Sequence, residues 1–129
     1  MVEMTLEEII DIDDDNKWLT IRCFTKKGHM PFRVGTKTYL KIGRTKERYG
    51  QIQMTEAIAK PLEEMTEEDA FAGGYTCRDD YINDHLDKFN SDCDLTEVMI
   101  FYRFKKLWMD AKLVNELRKK AEQMKGENQ

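Results

Sequence analysis

Glu97–Leu107, EVMIFYRFKKL, is the segment that most limits what this chain can fold into. Its run of β-branched and aromatic residues is apolar enough for a central strand, so a sheet must be built around it. Three further segments read as strands. Lys17–Phe24 (KWLTIRCF) alternates, Thr36–Gly43 (TKTYLKIG) is entered through Gly35 and left through Gly43, and Tyr49–Ala59 (YGQIQMTEAIA) is closed by Lys60-Pro61. Lys26–Pro31 is a polar loop between the first two.

Helices surround these strands. Thr5-Leu-Glu-Glu8 is a capping-box pattern that places Leu6, Ile9 and Ile10 on one face, and the acids from Asp11 to Asp15 break the helix. Thr66-Glu-Glu-Asp69 opens a second helix that stops at Gly73-Gly74. Arg78–Asn90 carries Tyr81, Ile82, His85, Leu86 and Phe89 at helical spacing. Asp110 caps a last helix, Ala111–Lys125, with Leu113, Val114, Leu117 and Ala121 on one face, anchored by Trp108 and Met109. The tail from Gly126 reads as disordered.

The order is therefore helix, three strands, two short helices, strand, helix. A doubly wound sheet needs regular strand–helix alternation, which is missing. The pattern predicts an α+β fold: a small β-barrel flanked by short helices, with a C-terminal helical extension. Residues 1–108 form the barrel domain, and residues 109–129 the C-terminal helix and flexible tail. At 129 residues and 40% hydrophobic, the chain is long enough for one domain with a real core.

No apolar stretch approaches a membrane span, and the acidic opening MVEMTLEEII lacks the basic start of a secretory signal, so no membrane partner is expected. Cys23, Cys77 and Cys93 are odd in number, form no CxxC and have no histidine at ligand spacing. They read as small hydrophobes in a reducing, cytoplasmic compartment, with neither metal nor cofactor expected.

The net charge of −4 conceals a strong segregation. Residues 1–16 hold seven acids and no Lys or Arg, whereas residues 17–60 hold eleven basic residues against Glu47 and Glu56. Residues 61–97 reverse this with twelve acids against Arg78 and Lys88, and residues 98–129 return to eight basic and four acidic. A compact basic segment makes a local positive field whatever the total, and phosphate is its commonest partner. The competing reading is mutual neutralisation of the segments across the fold.

Several fragments, taken in order, resemble one family. Lys17-Trp-Leu-Thr20-Ile21-Arg22 follows a short helix. It precedes a glycine-bounded strand, then Pro61-Leu62-Glu-Glu-Met-Thr66-Glu-Glu-Asp69-Ala70, Gly74-Tyr75 and Asp79-Asp80-Tyr81-Ile82, and finally Val98-Met-Ile-Phe-Tyr-Arg-Phe104. The string is similar to the ASCH domain family of the PUA-like β-barrel superfamily, with its K-x-x-T-x-R strand, over roughly residues 5–107. The resemblance implies a nucleic-acid-associated protein that binds RNA or a modified nucleotide at the barrel mouth.

The residues support a site there independently. On a strand, Thr20 and Arg22 share a face with Trp18, while Lys17 has the opposite parity and needs a bend to reach the same mouth. Lys, Thr and Arg together offer donors to a phosphate, a base edge or a sugar hydroxyl. The competing reading makes them ordinary surface and strand-forming residues.

A branch of the family that looks similar hydrolyses acetylcytidine, which implies Thr20 as nucleophile and Lys17 as its activator. In that branch a glutamate assists, and its position falls on Gly73 here, which weakens the hydrolase alternative. Asp69, one helical turn earlier, is the first substitute acid, with Glu68 or the Asp79-Asp80 pair behind it.

Lys26, Lys27, Arg33, Lys46 and Arg48 lie on loops or beside glycine turns and are the expected phosphate contacts. Trp18, Tyr39, Tyr49 and Tyr75 are candidate stacking faces or barrel packing. Asp11–Asn16 resembles a calcium loop but lacks its glycine and closing glutamate. His29 reads as surface and His85 as core edge. The basic C-terminal helix reads as a solvated amphipathic face. A nuclease, or an adaptor using the acidic 61–97 segment, is the remaining class.

Overall fold

The computed structural model describes residues 1–89 and 94–127. Five strands, β1 (Val2–Glu3), β2 (Leu19–Arg22), β3 (Lys37–Lys41), β4 (Gly50–Pro61) and β5 (Val98–Met109), form one sheet in the order β1-β3-β4-β5-β2. The β1–β3 pair is parallel and every other pair antiparallel. Helices α1 (Leu6–Asp13), α2 (Glu67–Ala72), α3 (Arg78–Phe89) and α4 (Ala111–Glu127) flank it, with a 3₁₀ turn at Leu62–Glu64.

The sheet curls into a half-barrel because its two longest strands are bulged. The β4–β5 ladder shifts register at Gln51/Ile52 and again at Met54/Glu56, and each extra residue sharpens the local twist. Gly50 permits the tight start of that ladder: a Cβ there would lie 2.6 Å from the Trp108 carbonyl oxygen. Curling brings the edge strands β1 and β2 within reach of each other. Arg22 spans the gap, its Nη2 donating to the Glu3 carbonyl at 3.0 Å.

Alternation along β5 divides the core in two. Ile100, Tyr102 and Phe104 face the barrel interior with Leu40, Ile52 and Met54, where α1 adds Ile9 and Ile12 and α4 adds Val114 and Leu117. Met99 and Phe101 face outward beneath α2 and α3, packing with Leu19, Ile21, Ala70, Tyr81 and Ile82. Tyr102 reaches the 26–35 loop, donating to the Phe32 carbonyl at 2.7 Å and accepting from the Phe32 amide at 3.1 Å.

The four strands expected from the sequence are all present, within two residues at most ends, and the fold class is α+β as expected. Three departures stand out. The first helix does not break at Asp11 but runs on to Asp13, because Ile12 is buried in the core and Asp14 caps the end. The two-residue β1 is too short to carry a period. The last helix runs on through Gly126 to Glu127, so the disordered tail expected from Gly126 is corrected there, and residues 128 and 129 lie outside the described residues. Cys93 and Asn90 also lie outside them. Cys23 is exposed and Cys77 is half-buried.

The acidic run at the end of α1 is structural. Asp15 takes a left-handed conformation (φ 62°) and pairs with Lys106, while Asp13 and Asp14 both bind Arg118 of α4 at 2.7 Å. Mutual neutralisation of segments is thus realised at this corner. No described helix is long and apolar enough to cross a membrane.

Candidate functional site

The gap between β1 and β2 opens into a cavity of about 470 Å³. Lys17, Thr20 and Arg22 line it together, as do Glu3 of β1, Glu7, Glu8 and Asp11 of α1, Gly73 and Gly74 at the end of α2, and Tyr75, Tyr81, Asp84 and His85. The K-x-x-T-x-R motif is therefore assembled on one wall. Lys17 sits two residues before β2 begins, which frees it from strand parity and solves the orientation problem.

Lys17 is buried, only 5% exposed, and its ammonium is held by neighbours from other elements. Nζ donates to the Gly73 carbonyl at 3.0 Å, lies 3.6 Å from Glu8 Oε2 and stands 5.8 Å from the Tyr81 ring centre. Glu8 is fixed independently of Lys17. It is the third residue of α1, and its Oε1 accepts from the Thr5 amide while its own amide donates to Thr5 Oγ1. A capping box therefore aims one carboxylate oxygen at the buried amine.

Thr20 is also buried, and its Oγ1 accepts from Arg22 Nε at 3.1 Å. That bond uses an acceptor position and leaves the hydroxyl hydrogen to be donated elsewhere. The opposite wall is aromatic: Tyr75 and Tyr81 stack with centroids 4.2 Å apart, and the Tyr75 hydroxyl donates to Asp84. Burial pushes both phenols well above their ordinary range, and for Tyr75 the Asp84 carboxylate adds to the rise, so both stay protonated. Burial likewise raises the Asp11 carboxyl, against the opposing pull of Lys17.

Five carboxylates, Glu3, Glu7, Glu8, Asp11 and Asp84, line the cavity against two cations, Lys17 and Arg22. A cavity of that balance suits polar neutral groups better than phosphate.

Position 73, where the resemblance implied a glutamate, has no room for a side chain. A Cβ at that position would overlap the buried Tyr81 ring. Among the acids the cavity does contain, Glu8, 3.6 Å from Lys17 Nζ, comes from α1, where the sequence reading saw only a helix cap. Its signal was present: a capping-box glutamate points back across the helix start, toward whatever the preceding chain packs on.

Asp69, the expected substitute acid, is corrected. It does not line the cavity: its carboxylate binds Lys60 Nζ at 2.7 Å and Arg103 Nη2 at 3.2 Å, and caps α2 through the Thr66 amide. One helical turn does not carry it to the side of Gly73, because the sheet's outer-face cations claim it. Burial alone would raise this carboxyl, but the Lys60 and Thr66 hydrogen bonds hold it below the ordinary value. Glu68 stands 3.8 Å from Arg103, away from the cavity, and Asp79 pairs with Arg78.

Lys26, Lys27, Arg33, Lys46 and Arg48 are exposed and off the cavity wall. Trp18 does not accompany Thr20. It packs edge-on against Phe71 at 5.6 Å with the outer core cluster. Of the aromatic candidates only Tyr75 reaches the cavity; Tyr49 is buried in the barrel core and Tyr39 lies elsewhere on the sheet. His85, the expected core edge, is buried and on the cavity wall, whereas His29 is exposed.

No protein-family model matches the sequence, and no curated protein matches it either. Solved structures do match. An ASCH domain from Lactobacillus crispatus JV V101 superposes with a TM-score of 0.67 at 15% identity, covering 78% of this chain and 70% of its own. A protein from Enterococcus faecalis V583 gives 0.64 at 12% identity over 83% and 76%. A single-substitution variant of an ASCH protein from Zymomonas mobilis gives 0.55 at 11% over 81% and 66%. The chain therefore has an ASCH-like fold.

Proposed function

We propose that this is an ASCH-type nucleic-acid-associated protein whose cavity binds a nucleobase and its sugar, presented by RNA or by a modified nucleoside. One observation carries the reading: Lys17, which strand parity sets apart from Thr20 and Arg22, converges with them on a single cavity whose volume suits a nucleoside. The Thr20 hydroxyl and the Arg22 guanidinium offer donors to a base edge, and the stacked Tyr75–Tyr81 pair offers an apolar wall. The excess of carboxylates keeps phosphates out of the cavity, so any phosphate sits outside it, where the exposed Lys26, Lys27, Arg33, Lys46 and Arg48 are candidates.

A second reading, an amidohydrolase acting on acetylcytidine, gains support from the Lys17–Glu8 contact of 3.6 Å. Lys17 would first yield a proton to the Glu8 carboxylate, and the neutral amine so formed would take the Thr20 proton as the Thr20 oxygen attacks the amide carbonyl. The C–N bond would then break with a proton delivered to the departing amine, and water would release acetate from the Thr20 ester. Glu8 restores a carboxylate beside the amine that Gly73 lacks.

Calorimetric titration with cytidine and acetylcytidine, paired with chromatography of the incubated nucleoside, tests both. Binding abolished by Arg22→Ala without product supports the binding module. Cytidine and acetate that disappear with Thr20→Val support the hydrolase. Absence of both binding and product contradicts both readings.

A further inference from the structure

We infer that the bare outer face of the sheet, at the end of β3, β4 and β5 away from α2 and α3, is a stacking platform for a single-stranded nucleic acid. The argument rests on residues separate from the cavity and extends the nucleic-acid reading to a second surface. Alternation on β3 buries Thr38 and Leu40 and turns Lys37, Tyr39 and Lys41 outward. The registers Tyr39↔Gln51 and Gln51↔Trp108 set Tyr39, Gln51 and Trp108 in one row across three strands. Lys37, Gln53 and Lys105 form the next row by the same pairing.

This row is built rather than incidental. The Trp108 indole N–H donates to Gln51 Oε1 at 3.2 Å, which fixes the ring's orientation although it is 41% exposed. Tyr39 meets Trp108 edge-on at 6.2 Å, and the Arg48 guanidinium lies over the Tyr39 ring at 4.3 Å. An indole held in place and left uncovered gives a base a flat partner at little entropic cost. Lys37, Lys41, Arg48 and Lys105 surround it, with Glu47 the exposed acid beside them in the loop and Glu56 facing Arg103.

Charge selects the occupant. Aromatic faces bordered by lysine and arginine complement bases bordered by phosphates, whereas the protein's own acidic 61–97 segment is drawn on at α2 by Lys60 and Arg103. A duplex hides its base faces and would gain only the charges.

The test is fluorescence anisotropy of a labelled twelve-nucleotide oligouridine, with oligothymidine and a duplex of equal length as further probes. Stacking of one base predicts that Trp108→Ala weakens single-strand binding about 5- to 150-fold, while Trp108→Phe retains most of it. Lys105→Ala should lower the slope of log affinity against log salt by roughly 0.7, one phosphate contact. Cytidine binding in the cavity should be unchanged in all three, which separates this surface from the cavity reading. The inference is overturned if Trp108→Ala binds within twofold of the parent, or if the duplex binds as tightly as the single strand. It is equally overturned if binding is lost only in Arg22→Ala, or if no strand binds and Trp108 instead mediates self-association.

Discussion

The Tyr81 ring fills the space that any side chain on Gly73 would need. Gly73 has φ −81°, an ordinary right-handed value, so its restriction is steric and comes from this one neighbour. Gly73→Ala should therefore cost about 1–3 kcal/mol by overpacking, and Gly73→Glu at least as much. Thermal unfolding of Gly73→Ala, Tyr81→Ala and the double variant checks the assignment. The double variant should lose less than the sum of the singles, and strict additivity would show that the ring is not the obstacle.

Glu8 serves two partners, and conservative substitution separates them. Glu8→Gln keeps an acceptor for the Thr5 amide and removes the charge facing Lys17; Glu8→Ala removes both. The loss of the box in Glu8→Ala should add about 0.3–1.5 kcal/mol of destabilisation beyond Glu8→Gln. On the hydrolase reading, Glu8→Gln should lower turnover of acetylcytidine at least tenfold while leaving cytidine affinity within a few-fold. Equal turnover in the two proteins would remove Glu8 from the chemistry.

Arg22 ties the two open edges of the sheet, donating to Thr20 Oγ1, the Glu3 carbonyl and the Met4 sulfur. Arg22→Ala should cost about 1.5–3 kcal/mol, the worth of charge-assisted hydrogen bonds. Arg22→Lys should not restore it, because one ammonium cannot reproduce the guanidinium fork. Hydrogen exchange should rise first at β1 and the amides of residues 2–4. Protection of those amides unchanged in Arg22→Ala would contradict the bridging role.

Asp69 and Asp11 give opposite pH dependences. The Asp69 carboxyl is held below its ordinary value of 3.8, so it contributes stability that is full above 3.8 and is lost as pH falls from there through its lower folded value. Asp69→Asn should cost about 1.5–3 kcal/mol at neutral pH and flatten the acid limb between about pH 5 and pH 2. Asp11, raised by burial, contributes most when protonated and loses that contribution as pH rises through its folded value. Asp11→Asn should leave neutral-pH stability equal or higher. Unfolding midpoints against pH check both signs.

The strands and capped helices were legible because each carries a local signature: alternation in KTYLK, a capping box at Thr5–Glu8 and another at Thr66–Asp69. Three site residues were legible for the same reason, as a motif of fixed spacing. Glu8 was missed because its meaning depends on α1 lying against the chain ahead of β2, a long-range contact that leaves no periodic trace. Asp69 was misplaced by helical arithmetic that ignored Lys60 and Arg103, basic partners from other strands. The Tyr39–Trp108 row could not be read at all without the register that joins β3 to β5 through β4.

The central claim is that the cavity between β1 and β2 receives a nucleoside. Amide NMR of the isotope-labelled protein, titrated with cytidine and acetylcytidine, tests it most directly. The account predicts saturable shifts concentrated at Thr20, Ile21, Arg22, Gly73, Gly74 and Tyr75, abolished in Arg22→Ala. Saturation with shifts confined to other surfaces, or no shift at millimolar nucleoside, would contradict it.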